Sequence, residues 1–172
     1  MFRRIFSIAL LVIFSQLAMA GSEDVKTRPN KDEIADLVLK ASRMSVLEQN
    51  SRMDQILSNQ AGSRSPRSDF LLCTGLAYLG NYKAQMCVGT AYEKGLGVVE
   101  DLSEAYTWYE LSLGNNITDE ADAGKAETDR DRAKERLVSA YPHPTEDELS
   151  DMVNAQKSRI AQYQEEIKKS KN

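Results

Sequence analysis

The chain has 172 residues, with 26 acidic against 22 basic side chains and a formal charge of −4. That balance argues against nucleic-acid binding, which calls for a basic face, and against adhesion to anionic lipid. The length suits one domain with a single core. Few residues are β-branched and long stretches lack proline, which favours helix over sheet.

Residues 1–20 read as a cleaved signal peptide. Arg3 and Arg4 form a positive start, Ile5 to Phe14 is almost wholly apolar, and Ala18-Met19-Ala20 is an A-x-A cleavage pattern before Gly21. A membrane anchor would need about 18 or more apolar residues, and Ser15 and Gln16 interrupt this run. Gly21 rather than a cysteine directly follows the cleavage site, which argues against a lipid anchor, and no later segment reads as a membrane span. Loss of Arg3 and Arg4 takes the charge from −4 to −6.

Residues 21–30 are polar and read as a flexible leader. Residues 31–60 form the N-terminal helices. Ile34, Leu37, Val38 and Ala41 share one helical face, and Met44, Val46, Leu47, Met53, Ile56 and Leu57 continue it more weakly. A break is expected near Gln49 to Ser51. Residues 61–68 are a loop by composition. Ser68 or Asp69 is placed to cap a helix over 69–79 that is apolar nearly all round and so belongs at the centre of the core. Gly80-Asn81 stops it.

Two further helices are expected over 82–94 and 102–113. Gly95 and Gly97 lie in the turn between them, Asp101 or Ser103 caps the second, and Gly114 ends it. Residues 117–140 are charge-rich with a thin apolar stripe of Ala123, Ala126, Ala133, Leu137 and Val138, the pattern of a solvated helix with internal charge pairs. Tyr141-Pro142-His143-Pro144 breaks it. Thr145 and Glu148 form a T-x-x-E capping box for a last helix running towards Lys169.

The stretch from Gly80 to Asn115 carries an ordered set of residues. They are Ala84-Gln85, Val88-Gly89, Tyr92, Gly95, Gly97-Val98, Asp101, Glu104-Ala105, Trp108-Tyr109 and Gly114. In order and spacing this set resembles a Sel-one-like repeat, a relative of the tetratricopeptide repeat. It departs from the family pattern at Val88, usually leucine, and at Ser112-Leu113, usually small. The resemblance implies an all-α fold, a short α/α solenoid of helical hairpins, because such units stack to bury their cores. It also implies a degenerate first unit within residues 31–60 and the helix over 69–79, and a closing segment within 117–172 that caps the exposed apolar end. The repeat-defining residues are expected to be architectural. Gly89 and Ala105 allow close helix approach, Tyr92, Trp108 and Tyr109 fill the space between helices, and Gly95 and Gly97 shape the turn.

Cys73 and Cys87 lie seven residues before and seven after Gly80. In an antiparallel helix pair, positions equidistant from the turn sit at the same height, so the sulfurs can meet. Each begins a C-x-G-x-A-Y segment whose glycine eases close approach. A structural disulfide is expected, worth roughly 3 kcal/mol; two free buried thiols are the alternative. The spacing is not C-x-x-C and no basic neighbour lowers a thiol pKa, so a redox role is not expected.

Catalytic constellations are not found. His143, the single histidine, sits between two prolines and reads as a loop residue, with no orienting carboxylate and nucleophile. The sequence lacks the ligands of a zinc site, the spacing of a calcium loop and a phosphate-binding glycine loop, and no cofactor is expected. Asn116-Ile117-Thr118 fits a glycosylation sequon. Leu149, Val153, Gln156, Ile160, Tyr163 and Ile167 form a coiled-coil-like seam. Its first half is expected to pack as a cap, and its second half to extend past the body towards a partner or a second copy. On the first repeat helix, Gln85, Thr90 and Glu93 are expected to face outward and touch a protein or peptide partner. Together with the signal peptide, the resemblance implies a non-catalytic protein–protein interaction module or assembly adaptor in the bacterial envelope, periplasmic or secreted. The alternatives are a secreted host-interaction factor, or an enzyme or enzyme inhibitor acting on envelope polymers.

Overall fold

A computed structural model describes residues 26–59, 62–115, 117, 119–140 and 144–170. The expected signal peptide, His143, and Asn116 and Thr118 of the sequon lie outside these residues. The described chain is all-α, with seven helices packed as helical hairpins in a short solenoid-like stack. In chain order they are α1 (Lys31–Ala41), α2 (Val46–Asn59), α3 (Pro66–Tyr78), α4 (Tyr82–Lys94), α5 (Leu102–Leu113), α6 (Glu120–Ala140) and α7 (Glu146–Ser170).

Local chemistry sets most boundaries. Asn30 caps α1, accepting from the Asp32 and Glu33 amides at 3.0 Å while its own N–H donates to Glu33 Oε2. Asn81 and Asp101 cap α4 and α5 through the Ala84 and Glu104 amides. Thr145 and Glu148 make the expected reciprocal box before α7. Gly95 and Gly97 take positive φ in the α4–α5 turn, the conformation that favours glycine.

Two boundaries differ from expectation. The N-terminal break falls at residues 42–45, not near Gln49 to Ser51. Ser45 Oγ accepts from the Glu48 amide there, so Ser45 rather than a mid-helix polar run starts α2. α3 begins at Pro66 instead of at 69, because proline suits the first turn of a helix, where its missing N–H costs nothing.

Helices α3, α4, α5 and α6 pack in succession, each on the next, and α1 packs on α3. α2 lies chiefly against α4 and touches α3 lightly, so α3 finds its main N-terminal neighbour in α1. The core is built from Met53, Phe70, Leu76, Val88, Val98, Trp108 and Tyr109. Aromatic edges lock it: Phe70 meets Tyr92 and Tyr78 meets Trp108, both with centroids 5.4 Å apart. Cys73 and Cys87 are joined as a disulfide across the α3–α4 hairpin, with Cα atoms 6.1 Å apart.

The segment expected to be a flexible leader makes specific contacts over its described part, residues 26–30. The Val99 amide donates to the Lys26 carbonyl, Arg67 donates to the Thr27 carbonyl, and Arg28 pairs with Asp101 and Glu104. The C-terminal helix differs as well. α6 packs along α5, whereas α7 lies across α1, α3 and α5. Its seam is turned inward over its whole length. Leu149, Val153, Gln156 and Tyr163 are buried, and Ile160 and Ile167 pack on the core. The Tyr163 ring stands edge-on to Tyr78 at 5.1 Å, and Gln164 donates to the Tyr78 carbonyl. The expected extension of Ile160 to Ile167 towards a second copy is therefore corrected: the body already contains enough apolar surface to take the whole seam. Among the described residues, no helix is long and apolar enough to cross a membrane.

Candidate functional site

Gln85, Thr90 and Glu93 do not face outward. They are 2%, 6% and 3% exposed. Each is buried with hydrogen-bond partners, as buried polar groups require. Gln85 Nε2 donates to the Ala77 carbonyl, and its Oε1 accepts from Asn115 at 2.6 Å. Thr90 donates to the Met86 carbonyl. The Tyr109 hydroxyl reaches both Thr90 Oγ1, at 3.1 Å, and Glu93 Oε2, at 2.9 Å. Arg132 of α6 grips Glu93 through two bonds of 2.7 Å, and Arg136 adds a third donor at 3.3 Å. Burial alone would raise the Glu93 pKa, but Arg132, Tyr109 and Arg136 outweigh it and hold the carboxyl at about 2. Glu93 thus ties α4 to α6 as an internal ion pair and is not available to a partner.

Most repeat-defining residues are also internal, whereas Gly114 is exposed and Gly95 and Asp101 are partly so. Ala84 and Ala105 are fully buried. A Cβ on Gly89 would stand 2.7 Å from the Tyr109 ring, so glycine is what lets α5 approach. Gly114 follows α5 as its C-cap. Trp108 and Tyr92 have a second side, however, because both line a cavity between α1, α3, α4, α5 and α7.

That cavity has a volume of about 70 Å³ and is walled by Tyr78, Tyr92 and Trp108. Arg28, Glu104 and Arg159 form its rim and also line an outer cleft of about 350 Å³ between α5 and α7. The rim is held by charge. Arg28 pairs with Asp101 and with Glu104 at 3.2 Å, and its guanidinium lies over the Tyr92 ring, 5.6 Å from the centroid. Glu104 also accepts from Trp108 Nε1 at 3.1 Å and faces Arg159 at 3.7 Å. Burial works against the Arg28 charge, yet Glu104 and Asp101 raise its pKa. Burial, reinforced by Glu104, pushes the Tyr92 hydroxyl well above the ordinary tyrosine range. Tyr78 is raised by burial too, with the Gln156 side chain and Arg159 moderating the shift.

Three of these residues were invisible as a site in the sequence. Arg28 sits in a polar leader, and Gln156 and Arg159 lie 48 or more positions beyond Trp108 on a helix whose orientation no local pattern reveals. The available signal was Gln156 itself, a polar residue within an otherwise apolar seam. Among the described residues, no group of three or more histidine, cysteine, aspartate or glutamate side chains is placed to hold a metal ion. Compared with protein families, curated proteins and solved structures, the chain gives no match.

Proposed function

We propose that this is a Sel-one-like repeat protein acting as a non-catalytic protein-binding module in the bacterial cell envelope. The family reading is supported by the residue spacing from Ala84 to Gly114, which falls on two helices and their turn in the order such a repeat requires. The compartment reading rests on the signal-like start of the chain and on a disulfide, which oxidising compartments favour.

One observation carries the binding reading: the outer cleft between α5 and α7. It combines a polar, charged wall of Asp101, Ser103 and Glu104 with an opposite wall of Met152, Ala155 and Arg159. Mixed apolar and charged linings of this kind suit a segment of another protein, with arginine as an anchor. The test is a photo-crosslinking residue placed at Ser103, in the cleft, and at Glu127, on the exposed side of α6, in protein expressed in its own envelope. A discrete adduct from Ser103 alone, lost on Arg159→Glu, is the expected result. Equal adducts from both positions, or none from Ser103, would overturn the reading.

A further inference from the structure

Gln156 is 1% exposed, and its Nε2 makes no hydrogen bond to any described protein atom. Gln85 shows what a satisfied buried amide looks like here: one end donates to a carbonyl and the other accepts from Asn115. A buried donor without an acceptor is costly, and the Gln156 side chain lines the aromatic cavity.

Several other polar groups around the cavity are engaged. Trp108 Nε1 is given to Glu104, the Thr74 hydroxyl to the Phe70 carbonyl, and the arginines to carboxylates. The fully buried side-chain atom left without a partner is Gln156 Nε2, and what it requires is a hydrogen-bond acceptor. The rim charge is balanced, with Arg28 and Arg159 facing Asp101 and Glu104, so neither an anion nor a cation gains a net attraction. A volume of about 70 Å³ takes about two waters at roughly 30 Å³ each, or a group of a few heavy atoms. Aromatic side chains on several sides suit a flat group.

A neutral, flat acceptor of that size is a carboxamide. We infer that the cavity is an anchoring pocket for the side-chain amide of an asparagine or glutamine, whose carbonyl oxygen accepts from Gln156 Nε2 between Tyr78, Tyr92 and Trp108. The inference rests on the binding-module reading. The cavity and the outer cleft share Arg28, Glu104 and Arg159, so a segment lying in the cleft is one side chain away from Gln156.

The probe is acetamide, followed by NMR of the full ¹⁵N-labelled chain after removal of the signal peptide. Trp108 is the only tryptophan, so its indole N–H is an unambiguous reporter beside the Gln156 side-chain amide. Acetamide should shift both resonances saturably, with affinity on the order of millimolar for so small a ligand. Acetate and methylguanidinium should not shift them. Gln156→Leu should weaken acetamide about tenfold or more while melting at or above wild type, since it removes an unpaired donor; a merely structural glutamine would not separate these two effects. No saturable shift in wild type, or an equal response to acetate, overturns the inference without reference to any variant. N-acetylglucosamine shifting the pair more strongly than acetamide would also overturn it, assigning the pocket to a sugar-borne amide. If acetamide fails while the Ser103 adduct persists, the pocket assignment falls alone. If acetamide binds but no adduct forms, the binding-module reading falls instead.

Discussion

The segments Cys73–Tyr78 and Cys87–Tyr92 share the pattern C-x-G-x-A-Y and lie on neighbouring helices joined by their own cysteines. Their surroundings differ. Gly75 admits the backbone of α1, and a Cβ there would stand 2.6 Å from the Leu37 carbonyl oxygen. Gly89 admits a side chain, the Tyr109 ring of α5. Tyr78 is locked by Trp108 and by Tyr163 of α7, whereas Tyr92 is locked by Phe70 and the Arg28 guanidinium. Leu79 follows the first tyrosine and the buried Glu93 follows the second. One local pattern thus serves two packing tasks, and both tyrosines end as walls of the same cavity.

The largest break in this comparison is the bond between its halves. Reducing Cys73–Cys87, or replacing both with alanine, should cost about 3 kcal/mol, because the 14-residue separation leaves the unfolded chain free of a loop constraint. Urea melts with and without reductant measure it, and an unchanged midpoint would show that the helices hold without the staple. The glycines come next. Gly75→Ala should cost about 2–3 kcal/mol and Gly89→Ala about 1–2 kcal/mol, within the range for overpacked interiors. A carbonyl oxygen of α1 cannot rotate away, but a tyrosine ring yields a little. The reverse order in chemical denaturation would mean that α1 shifts more readily than Tyr109.

Glu93 has no counterpart after Tyr78, which sharpens the contrast through pH. Its folded pKa of about 2 lies below the ordinary 4.5. The stability it contributes is complete above about 4.5 and is lost as the pH falls towards 2. Glu93→Gln should cost about 2 kcal/mol at neutral pH, the scale of hydrogen bonds to a charged group, and should flatten the acid slope of the stability curve; a slope unchanged by the substitution would place the acid-sensitive group elsewhere. The last pair concerns the two locks. Tyr163→Ala should cost about 2–3 kcal/mol, as an aromatic ring leaves a buried seat. Arg28→Ala should cost under about 1 kcal/mol, because its ion pairs are half-exposed. Thermal melts of the two variants side by side read the difference.

Much of the architecture was legible in the sequence, for reasons confined to a few neighbouring residues. Asn81, Asp101 and Thr145 cap helices by bonding amides two or three positions on, and Gly95 and Gly97 turn the chain where they stand. The disulfide could be placed because the hairpin turn at Gly80 puts both cysteines at one height. Pro66 and Ser45 were legible in principle, as a helix-start proline and the first residue of an S-x-x-E pattern, but polar composition around them reads as loop or mid-helix. The candidate site was legible only in part. Tyr92 and Trp108 carry the repeat pattern, whereas Arg28, Gln156 and Arg159 reach them from distant segments.

The sequence by itself determined the helical class, the spans of α4 and α5, the caps of α5 and α7 and the cysteine pairing, because each depends on periodicity or on contacts across one hairpin. Only the tertiary structure decided which faces are inside. Gln85, Thr90 and Glu93 read as outward because they are polar, yet their partners Ala77, Tyr109, Asn115, Arg132 and Arg136 let them be buried without loss. The α7 seam read as half free because an apolar stripe does not name what it packs against. Its folding across α1, α3 and α5 closes the cavity that holds Gln156, since burying an apolar stripe against the chain's own body removes it from water without the entropic cost of recruiting a second molecule.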